Sequence, residues 1–388
     1  MNLLQRKYFY FFVLTVLFFF FAFNIKYNYI LNQTIDYLVP EKNLKKNSFI
    51  QYECGQYDIC GGWADRLKGI MSTYAISLLT NRQFIIKMTK NCDLKKILEP
   101  NEINWNYEQV PDNISIEELK IFNNQPFNQF KQKLSLFPNL NRTNMINVKY
   151  GMMFMHRLID DPILKKKIKK LGYEQSKFHM AYQFHKWYKQ LFKLNNRTQK
   201  KHDEFLQRLK PNSDSKLICC QIRKGDPELR DRRDDYVERD FWNFINTTFL
   251  SSGFNLSSQY KIFVTSDLEY VSLDAKNYFK NNEVIFSQNS SIHIDKELSN
   301  NECNKLESVI LDFHIMQNCD IGVVSHSGFG VLALLNRPNP FKDLYVYSKE
   351  YKHLDMENET VYNSFFNNFK NLSFIKFSKL DDIYFFQN

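Results

Sequence analysis

Short apolar runs alternate with helical patterns through the second half of the chain. Runs of strand length occupy 217–222, 261–267, 283–286 and 320–328, and apolar residues recur at helical spacing between 305 and 318. Strands that alternate with helices indicate a parallel sheet covered by helices on both faces, with right-handed crossovers. The pattern therefore predicts an α/β fold for this half.

The first half opens with a glycine turn, a helix and a strand. After Gly61 and Gly62, apolar residues follow the helical period over several turns, and a short buried strand is predicted at 84–86. The apolar helical positions are Leu67, Ile70, Met71, Tyr74, Ala75, Leu78 and Leu79. Farther along, LKKKIKKL at 164–171 predicts a helix with one apolar side and a solvated lysine face.

An uncharged apolar run occupies residues 8–23, directly after Arg6 and Lys7. Its length is close to that of a membrane span, and a cleaved signal peptide is the alternative. Ala22 is not followed by the small residues that a cleavage site requires. We therefore expect a single-pass type II anchor that places the body in the lumen. The expected segments are a cytoplasmic tail at 1–7, a transmembrane anchor at 8–24 and a stem at 25–50.

Two further features agree with a lumenal body. Nine Asn-x-Ser/Thr sequons follow the apolar run, although an Asn-rich chain also generates such triplets by chance. Seven cysteines suit an oxidising compartment, and Cys54 with Cys60 would close a small disulfide loop. The odd number leaves one cysteine unpaired, and no cysteine or histidine spacing matches a zinc site.

The composition is that of a basic globular chain with room for two domains. With 388 residues, of which 44% are hydrophobic, the chain exceeds one ordinary core. We expect an N-terminal domain over 51–210 and a C-terminal domain over 211–388. The net charge of +10 suits a phosphate-bearing ligand or an anionic surface, but scattered solvated lysines would produce it equally well. No basic patch is interleaved with aromatic residues, so a nucleic-acid partner is not expected.

Polar residues follow the apolar runs of the second half at the points where strands would end. They are Arg223, Lys224 and Asp226 after the first run, Ser266 and Asp267 after the second, and Ser325, Ser327, Gly328 and Gly330 after the fourth. The carboxyl ends of parallel strands form the edge at which open α/β sheets bind ligands. A guanidinium and the backbone N–H groups of a helix start both match phosphate oxygens. Taken alone, the charged stretch 223–235 is also consistent with a solvated loop whose charges pair with one another.

Four stretches, in this order, resemble the fucosyltransferase superfamily of GT-B architecture, which includes the α1,6-, α1,2- and protein O-fucosyltransferases. They are GGWADRLKG (61–69), QIRKGD (221–226), FVTSD (263–267) and VILDFHIMQNCDIGVVSHSGFG (309–330). The likeness is clearest over 217–335 and is greatest to the α1,6 branch. The central motif of the family is His-x-Arg-Arg/Lys-x-Asp, and Gln221 replaces its His in this chain.

The resemblance implies two Rossmann-like domains that face a cleft, with GDP-fucose bound mainly by the second. Arg223 would bind the diphosphate, Asp267 and Asp312 would lie near the ribose or guanine, and the turn at Ser327 and Gly328 would hold phosphate. The complete donor-binding set that the resemblance implies is Gly61, Gly62, Arg223, Lys224, Asp226, Asp267, Asp312, Ser327 and Gly328.

Family members invert the anomeric centre and generally use no metal ion, and the chain contains no Asp-x-Asp sequence. Arg223 would neutralise the charge that gathers on the departing GDP. The acceptor hydroxyl needs a base, for which the resemblance suggests Asp231 ahead of Glu228. Both carboxylates could instead pair with the arginines at 230, 232 and 233.

The expected function is that of a Golgi membrane fucosyltransferase that acts on a glycan or glycoprotein, with no cofactor beyond its donor substrate. A Golgi sulfotransferase is a rival, but it needs a phosphate loop with Lys followed by Ser or Thr, which GGWADRLKG does not provide. A catalytically silent, membrane-anchored, glycan-binding glycoprotein of the same fold is the second rival. The replacement of the motif His by Gln221 is the only sequence feature that favours it.

Overall fold

A computed structural model describes the folded body of the chain in segments. The described residues are 48–120, 144–149, 158–159, 161–225, 237–251, 260–280, 284–286, 294, 302–349 and 372–377. The predicted cytoplasmic tail, the predicted anchor and nearly all of the predicted stem lie outside them. Across the described segments, the helices are too short or too polar to cross a membrane.

Strands and helices alternate along most of the described chain. The strands are β1 Phe49–Cys54, β2 Gln83–Met88, β3 Leu98–Pro100, β4 Ile116–Lys120, β5 Met145–Lys149, β6 Phe192–Leu194, β7 Lys216–Ile222, β8 Tyr260–Ser266, β9 Val284–Phe286, β10 Ile321–Ser325, β11 Leu344–Lys349 and β12 Leu372–Phe377. The helices are α1 Trp63–Thr80, α2 Pro162–Lys170, α3 Met180–Leu191, α4 Asn196–Leu209, α5 Glu238–Ile245, α6 Glu269–Tyr278, α7 Glu302–Met316 and α8 Gly328–Leu335.

The first sheet has four parallel strands in the order β2-β1-β5-β4. Strand β1 begins at Phe49, two residues before the predicted start of the N-terminal domain at 51. The chain leaves β1 through α1 to β2 on one side, and β5 pairs with β1 on the other side. This reversal makes the carboxyl end of β1 a topological switch point, where α/β sheets bind ligands.

The second sheet confirms the four strands predicted in this half. Its order is β12-β11-β10-β7-β8-β9, and all neighbours are parallel except β12, which runs antiparallel to β11. The chain proceeds from β7 outward to β8 and β9 and then returns to place β10 on the other side of β7. The second switch point therefore lies between β7 and β10.

Local sequence signals explain the predicted helices, which are confirmed. Helix α1 is buried on almost all sides and ends at Asn81, whose left-handed φ of 56° lets its N–H bond the Ser77 carbonyl. Helix α2 begins at Asp161, whose carboxylate accepts hydrogen bonds from the first-turn N–H groups. Its buried side carries Leu164 and Ile168, and most of its lysines are exposed.

Helices α3 and α4 lie against the second half of the molecule. Tyr188 of α3 packs its ring on Phe313 of α7, with the centroids 5.6 Å apart. Thr198 of α4 donates a 3.0 Å hydrogen bond to the buried carboxylate of Glu307 on α7. One continuous hydrophobic cluster therefore runs from α1 and the first sheet through these helices to α7 and α8.

Six of the seven cysteines form disulfides. The predicted bond between Cys54 and Cys60 is confirmed, and the other pairs are Cys92 with Cys303 and Cys219 with Cys319. The unpaired cysteine is Cys220, and burial raises the pKa of its thiol far above the ordinary value. The bond from Cys92 to Cys303 joins the segment after β2 to α7, and so links the two halves of the chain.

Candidate functional site

Arg223 follows β7 at the second switch point. Its backbone N–H donates a 2.8 Å hydrogen bond to the Ser325 hydroxyl at the end of β10. The two strands that flank the switch point are thereby tied together directly behind the guanidinium. The predicted meeting of polar groups at this edge of the sheet is present in the structure.

Asp267, which follows β8, organises the turn after β7. Its carboxylate accepts hydrogen bonds from the backbone N–H groups of Lys224 at 2.8 Å and Gly225 at 2.9 Å. The same carboxylate lies 2.9 Å from Arg223 Nη1. Gly225 has a φ of 82°, a conformation that side-chain-bearing residues rarely adopt. Asp267 therefore orients Arg223 and closes the turn that presents it.

Gln221 takes the place of the motif His at the end of β7, and its side chain is buried. The Ser325 hydroxyl donates to Gln221 Oε1 at 3.4 Å while it accepts from the Arg223 N–H. A Cβ at Gly330 would overlap Gln221 Oε1, so the absence of a side chain at Gly330 makes room for the amide. Gln221 therefore makes a hydrogen bond to the residue that supports the Arg223 backbone.

Lys224 points away from Arg223 toward α5. Its ammonium lies 2.9 Å from Glu238 Oε1, which also accepts a 2.6 Å hydrogen bond from the Tyr270 hydroxyl. Burial acts to raise the pKa of Glu238, but hydrogen bonds from Tyr270 and Lys224 outweigh it, so the pKa lies below its ordinary value. The carboxylate is therefore charged and holds the lysine.

Asp312 of α7 is buried beneath the carboxyl edge of the second sheet. Its carboxylate accepts a 2.8 Å hydrogen bond from the Thr265 hydroxyl near the end of β8. This places it one strand away from Arg223, under the same edge. Three predicted residues, Asp226, Glu228 and Asp231, lie outside the described residues.

The glycine turn at Gly61 and Gly62 opens α1 at the first switch point. Gly61 has a φ of 73°, and the fully buried Arg66 donates a 3.1 Å hydrogen bond to its carbonyl. Gly62 is the N-cap of α1, and a Cβ there would meet no neighbour within 4 Å. Arg66 therefore fixes the backbone of the turn, and the space that a Gly62 side chain would occupy is open.

The start of α8 faces the start of α1 across the two halves. Ser327 is the N-cap of α8 and makes no side-chain capping bond. A Cβ on Gly328 would lie 3.3 Å from the Ala64 methyl and 3.3 Å from the Lys68 ammonium. Two helix N-termini thus converge beside a lysine, which concentrates positive potential at one place.

Lys68 is the residue of this site that the sequence analysis missed. It lies on the first turns of α1 and forms a 3.0 Å salt bridge with Asp65 one turn earlier. In sequence it is one lysine among many on amphipathic helices. Only its position next to Gly328, which is far away along the chain, distinguishes it.

The titratable groups of the described residues can be compared with the ligand sets of metal sites. Across the described segments, no cluster of three or more His, Cys, Asp or Glu side chains could hold a metal ion. The donors at the two switch points are a guanidinium, an ammonium and backbone N–H groups, with Asp267 paired to the first and Asp65 to the second. Such groups bind an anion with several oxygens, and a phosphate ester is the common biological example.

Comparison with solved structures finds several similar proteins. A mutant of Arabidopsis thaliana FUT1 in complex with GDP superimposes with a TM-score of 0.55 at 13% identity, over 83% of this chain and 74% of that chain. NodZ α-1,6-fucosyltransferase soaked with GDP-fucose gives 0.48 at 14% identity, over 86% and 100%. POFUT1 in complex with GDP gives 0.45 at 9% identity, over 76% and 96%.

No protein-family profile and no curated protein sequence matches the chain. The likeness to FUT1 nevertheless extends over most of both chains. The predicted α/β architecture is therefore confirmed, and the fold is similar to that of the FUT1 structure.

Proposed function

We propose that this chain, which has the fold of the fucosyltransferase FUT1, transfers fucose from GDP-fucose to a glycan or glycoprotein acceptor. The observation that carries the proposal is the position of Arg223. Its backbone N–H is fixed to Ser325 by a 2.8 Å hydrogen bond at the switch point between β7 and β10. An arginine fork at such a position suits the diphosphate of a nucleotide sugar.

The proposed reaction is a direct displacement at the anomeric carbon. The acceptor oxygen attacks from the face opposite GDP, the bond from the sugar to the β-phosphate oxygen breaks, and β-linked GDP-fucose yields an α-fucoside. Arg223 neutralises the charge that accumulates on GDP. Asp231, ahead of Glu228, accepts the proton of the acceptor hydroxyl in this scheme.

The donor site in this proposal draws on both halves of the chain, in the GT-B arrangement of two Rossmann-like domains that face a cleft. Arg223 and the N-terminus of α8 hold the diphosphate from one side, and Lys68 approaches it from the other side. A guanidinium has five N–H donors, so Arg223 can bind phosphate oxygens while Asp267 holds it through Nη1. Asp312 and Asp267 lie on the nucleoside side, as the resemblance suggests.

The silent glycan-binding alternative depends on the missing motif His. Gln221 makes a 3.4 Å hydrogen bond with Ser325, so the scaffold behind Arg223 does not require that His. The two functions differ in turnover, because a silent protein would bind GDP-fucose or glycans without releasing GDP.

The full-length protein, purified in detergent and incubated with GDP-fucose and an array of oligosaccharides, provides the test. We expect acceptor-dependent GDP release together with a mass gain of one fucose, in EDTA as well as in manganese. Nucleotide binding without turnover would favour the silent alternative, and the absence of GDP binding would refute the donor site. Activity that is lost in EDTA and restored by manganese would refute the metal-independent mechanism.

We further infer a Golgi location, with a single-pass type II topology. The support is the apolar run at 8–23 and the nine sequons that follow it. An intact N-terminus on the membrane-bound protein, together with a mobility shift on enzymatic removal of N-glycans, is the expected result. A mature N-terminus near residue 25 would instead identify a cleaved signal peptide.

A further inference from the structure

The loop that follows β1 is short, closed and centrally placed. Cys54 ends β1 and is bonded to Cys60, which precedes the glycine turn of α1. Strand β1 has β2 on one side and β5 on the other. The loop therefore lies at the first switch point, at the carboxyl edge of the first sheet.

Asp58 anchors this loop from within. Its carboxylate accepts a 2.7 Å hydrogen bond from the Gly55 N–H and lies 3.6 Å from the ammonium of Lys149 at the end of β5. Its carbonyl accepts a 2.6 Å hydrogen bond from Lys90, which follows β2. With the disulfide, these contacts hold the loop across the ends of three strands.

The residues on either side of Asp58 point outward. Tyr57 is 99% exposed and Ile59 is 91% exposed, well above the other exposed large apolar residues of the described segments. A flexible loop could fold such side chains back onto the protein, but the anchors on Asp58 hold them in water. A rigid loop that displays an aromatic and an aliphatic side chain is typical of a recognition surface.

The position of the pair relates it to the proposed donor site. The loop runs directly into Gly61 and Gly62, and the first turn of α1 contacts Gly328 at the start of α8. The loop that carries Tyr57 and Ile59 therefore adjoins the glycine turn on the first-half side of the proposed donor site.

The size of the patch indicates what it binds. A stable protein interface buries about 800 Å² on each partner, far more than two side chains provide. One pyranose ring presents a flat face of C–H groups that a single aromatic ring can cover. A sugar unit is thus the occupant that this patch fits.

We propose that Tyr57 and Ile59 form a platform on which one sugar ring of the acceptor packs. This inference rests on the proposed fucosyl transfer and specifies its acceptor as a glycan that is recognised through its carbohydrate. The Tyr57 ring covers the apolar face of the sugar, and Ile59 extends the contact at its edge. The Cys54–Cys60 bond keeps both at a fixed distance from the donor.

The test compares Tyr57→Ala, Tyr57→Phe and Ile59→Ala with the full-length wild-type protein. A matched control is Ile163→Ala, because Ile163 is 53% exposed on α2, away from both switch points. The measurements are KM for the best oligosaccharide of the array, KM for GDP-fucose, hydrolysis of GDP-fucose by water, and Tm.

We expect Tyr57→Ala to raise the acceptor KM by about 10-fold, the loss typical of one aromatic contact. Tyr57→Phe retains the ring and should stay within about twofold of wild type, since the platform uses the ring face rather than the hydroxyl. The donor KM, hydrolysis and Tm should not change, and Ile163→Ala should match wild type throughout.

Three results would overturn the platform. The first is an unchanged acceptor KM in Tyr57→Ala, and the second is a loss of GDP-fucose hydrolysis in Tyr57→Ala as large as its loss of transfer to the acceptor. The third is wild-type protein that binds GDP but no oligosaccharide of the array. Failure of the proposed function is distinct, because wild-type protein would then release no GDP from GDP-fucose with any glycan or glycoprotein acceptor, whether or not it binds GDP. The two failures are therefore separated by the turnover of wild-type protein, which is measured before any Tyr57 variant is made.

Discussion

At the scale of single residues, the site is organised by side chains that hold other side chains. Asp267 closes the turn after β7 and contacts Arg223 Nη1 at 2.9 Å. Ser325 supports the Arg223 backbone, and Gln221 supports Ser325. Because these contacts fix both the backbone and the guanidinium of Arg223, its geometry should matter as much as its charge.

Arg223→Lys is expected to fail nearly as badly as Arg223→Ala. An ammonium keeps the charge but loses the planar fork that spans two oxygens of a diphosphate. Removing a donor that is directed at developing charge typically lowers turnover by ~100-fold to 1000-fold, and the loss should appear in kcat as well as in donor affinity. Steady-state kinetics with GDP-fucose measure this result.

The structural alternative is that Arg223 serves only its salt bridge with Asp267. In that case Arg223→Lys would keep the ion pair and full activity, and Arg223→Ala would lower Tm without a selective loss of turnover. Thermal unfolding of both variants beside the kinetics separates the two roles. An active Lys variant would contradict the assignment of Arg223 to the diphosphate.

At the scale of elements, the sequence predicted individual strands and helices better than their arrangement. The alternation from 217 onward predicted β7, β8, β9, β10 and α7, because a buried parallel strand requires a continuous apolar run. The order of the strands depends on partners that are distant in sequence, such as β1 with β5, and no local pattern encodes it. The sequence analysis also missed the strands β1, β3, β4, β5, β6, β11 and β12. Of these, β3 and β6 have only three residues each, too few to show a period.

The meeting of several candidate residues at one edge of a sheet was predictable from the order of the strands. Arg223, Asp267, Ser327 and Gly328 follow strands of one sheet, so topology alone brings them together. Lys68 belongs to a helix of the other half and approaches Gly328 only because α1 packs against α8. Helical periodicity predicts on which face of α1 a lysine lies, but it does not predict which distant helix packs against that face.

Lys68→Gln is expected to weaken GDP binding by about 10-fold or more, since a hydrogen bond to a charged group typically contributes ~1.5–3 kcal/mol. The loss should be smaller for GMP if the ammonium acts mainly on the second phosphate. Asp65→Asn is the matched control, because it breaks the salt bridge with Lys68 but keeps the ammonium. Calorimetric titration with both nucleotides measures the difference. Equal Kd values for Lys68→Gln and wild type would restrict Lys68 to its pairing with Asp65.

The contact between α4 and α7 contains a partly buried histidine, His314. Burial lowers the pKa of His314 to about 3, and the nearby His202 contributes in the same direction. The Tyr188 hydroxyl lies 2.8 Å from His314 Nε2. Because the folded pKa is below the ordinary value of 6.5, unfolding takes up a proton at acidic pH. The stabilisation is complete above about pH 6.5 and is lost as the pH falls toward 3.

His314→Gln should therefore flatten the dependence of stability on pH. One histidine contributes at most ~1.4 kcal/mol per pH unit to the free energy of unfolding, and Gln retains an oxygen that can accept from Tyr188. Urea unfolding at pH 7, 6 and 5 measures the slope for both proteins. The variant should lose less stability than wild type between pH 6 and 5. Parallel slopes would mean that His314 is solvated or protonated in the folded protein.

At the scale of the whole molecule, one short segment couples the two halves of the site. Arg66 bonds the carbonyl of Gly61 and also donates a 2.7 Å hydrogen bond to the Asn91 side chain. Asn91 in turn donates to Glu302 at the start of α7, and the adjacent Cys92 is bonded to Cys303. The glycine turn of the first half is thereby tied to the helix that carries Asp312 in the second half.

Replacing Cys92 and Cys303 together by serine should reduce both stability and donor affinity. The Cys92–Cys303 bond joins residues 211 positions apart, and the Cys54–Cys60 bond joins residues 6 positions apart. Loop entropy therefore predicts that the free energy of unfolding falls by about 5 kcal/mol without the first bond and by about 2 kcal/mol without the second. The double variant at 54 and 60 is the matched control, because that bond lies within the first half.

If the Cys92–Cys303 bond aligns the site, only its removal should weaken GDP binding. The reason is that a donor held from both halves binds tightly only when the two halves keep their relative position. Urea unfolding measures the loss of stability in both double variants, and titration with GDP measures the loss of affinity. Unchanged GDP affinity in Cys92→Ser/Cys303→Ser would show that the noncovalent packing of α1, α3 and α8 aligns the two halves by itself.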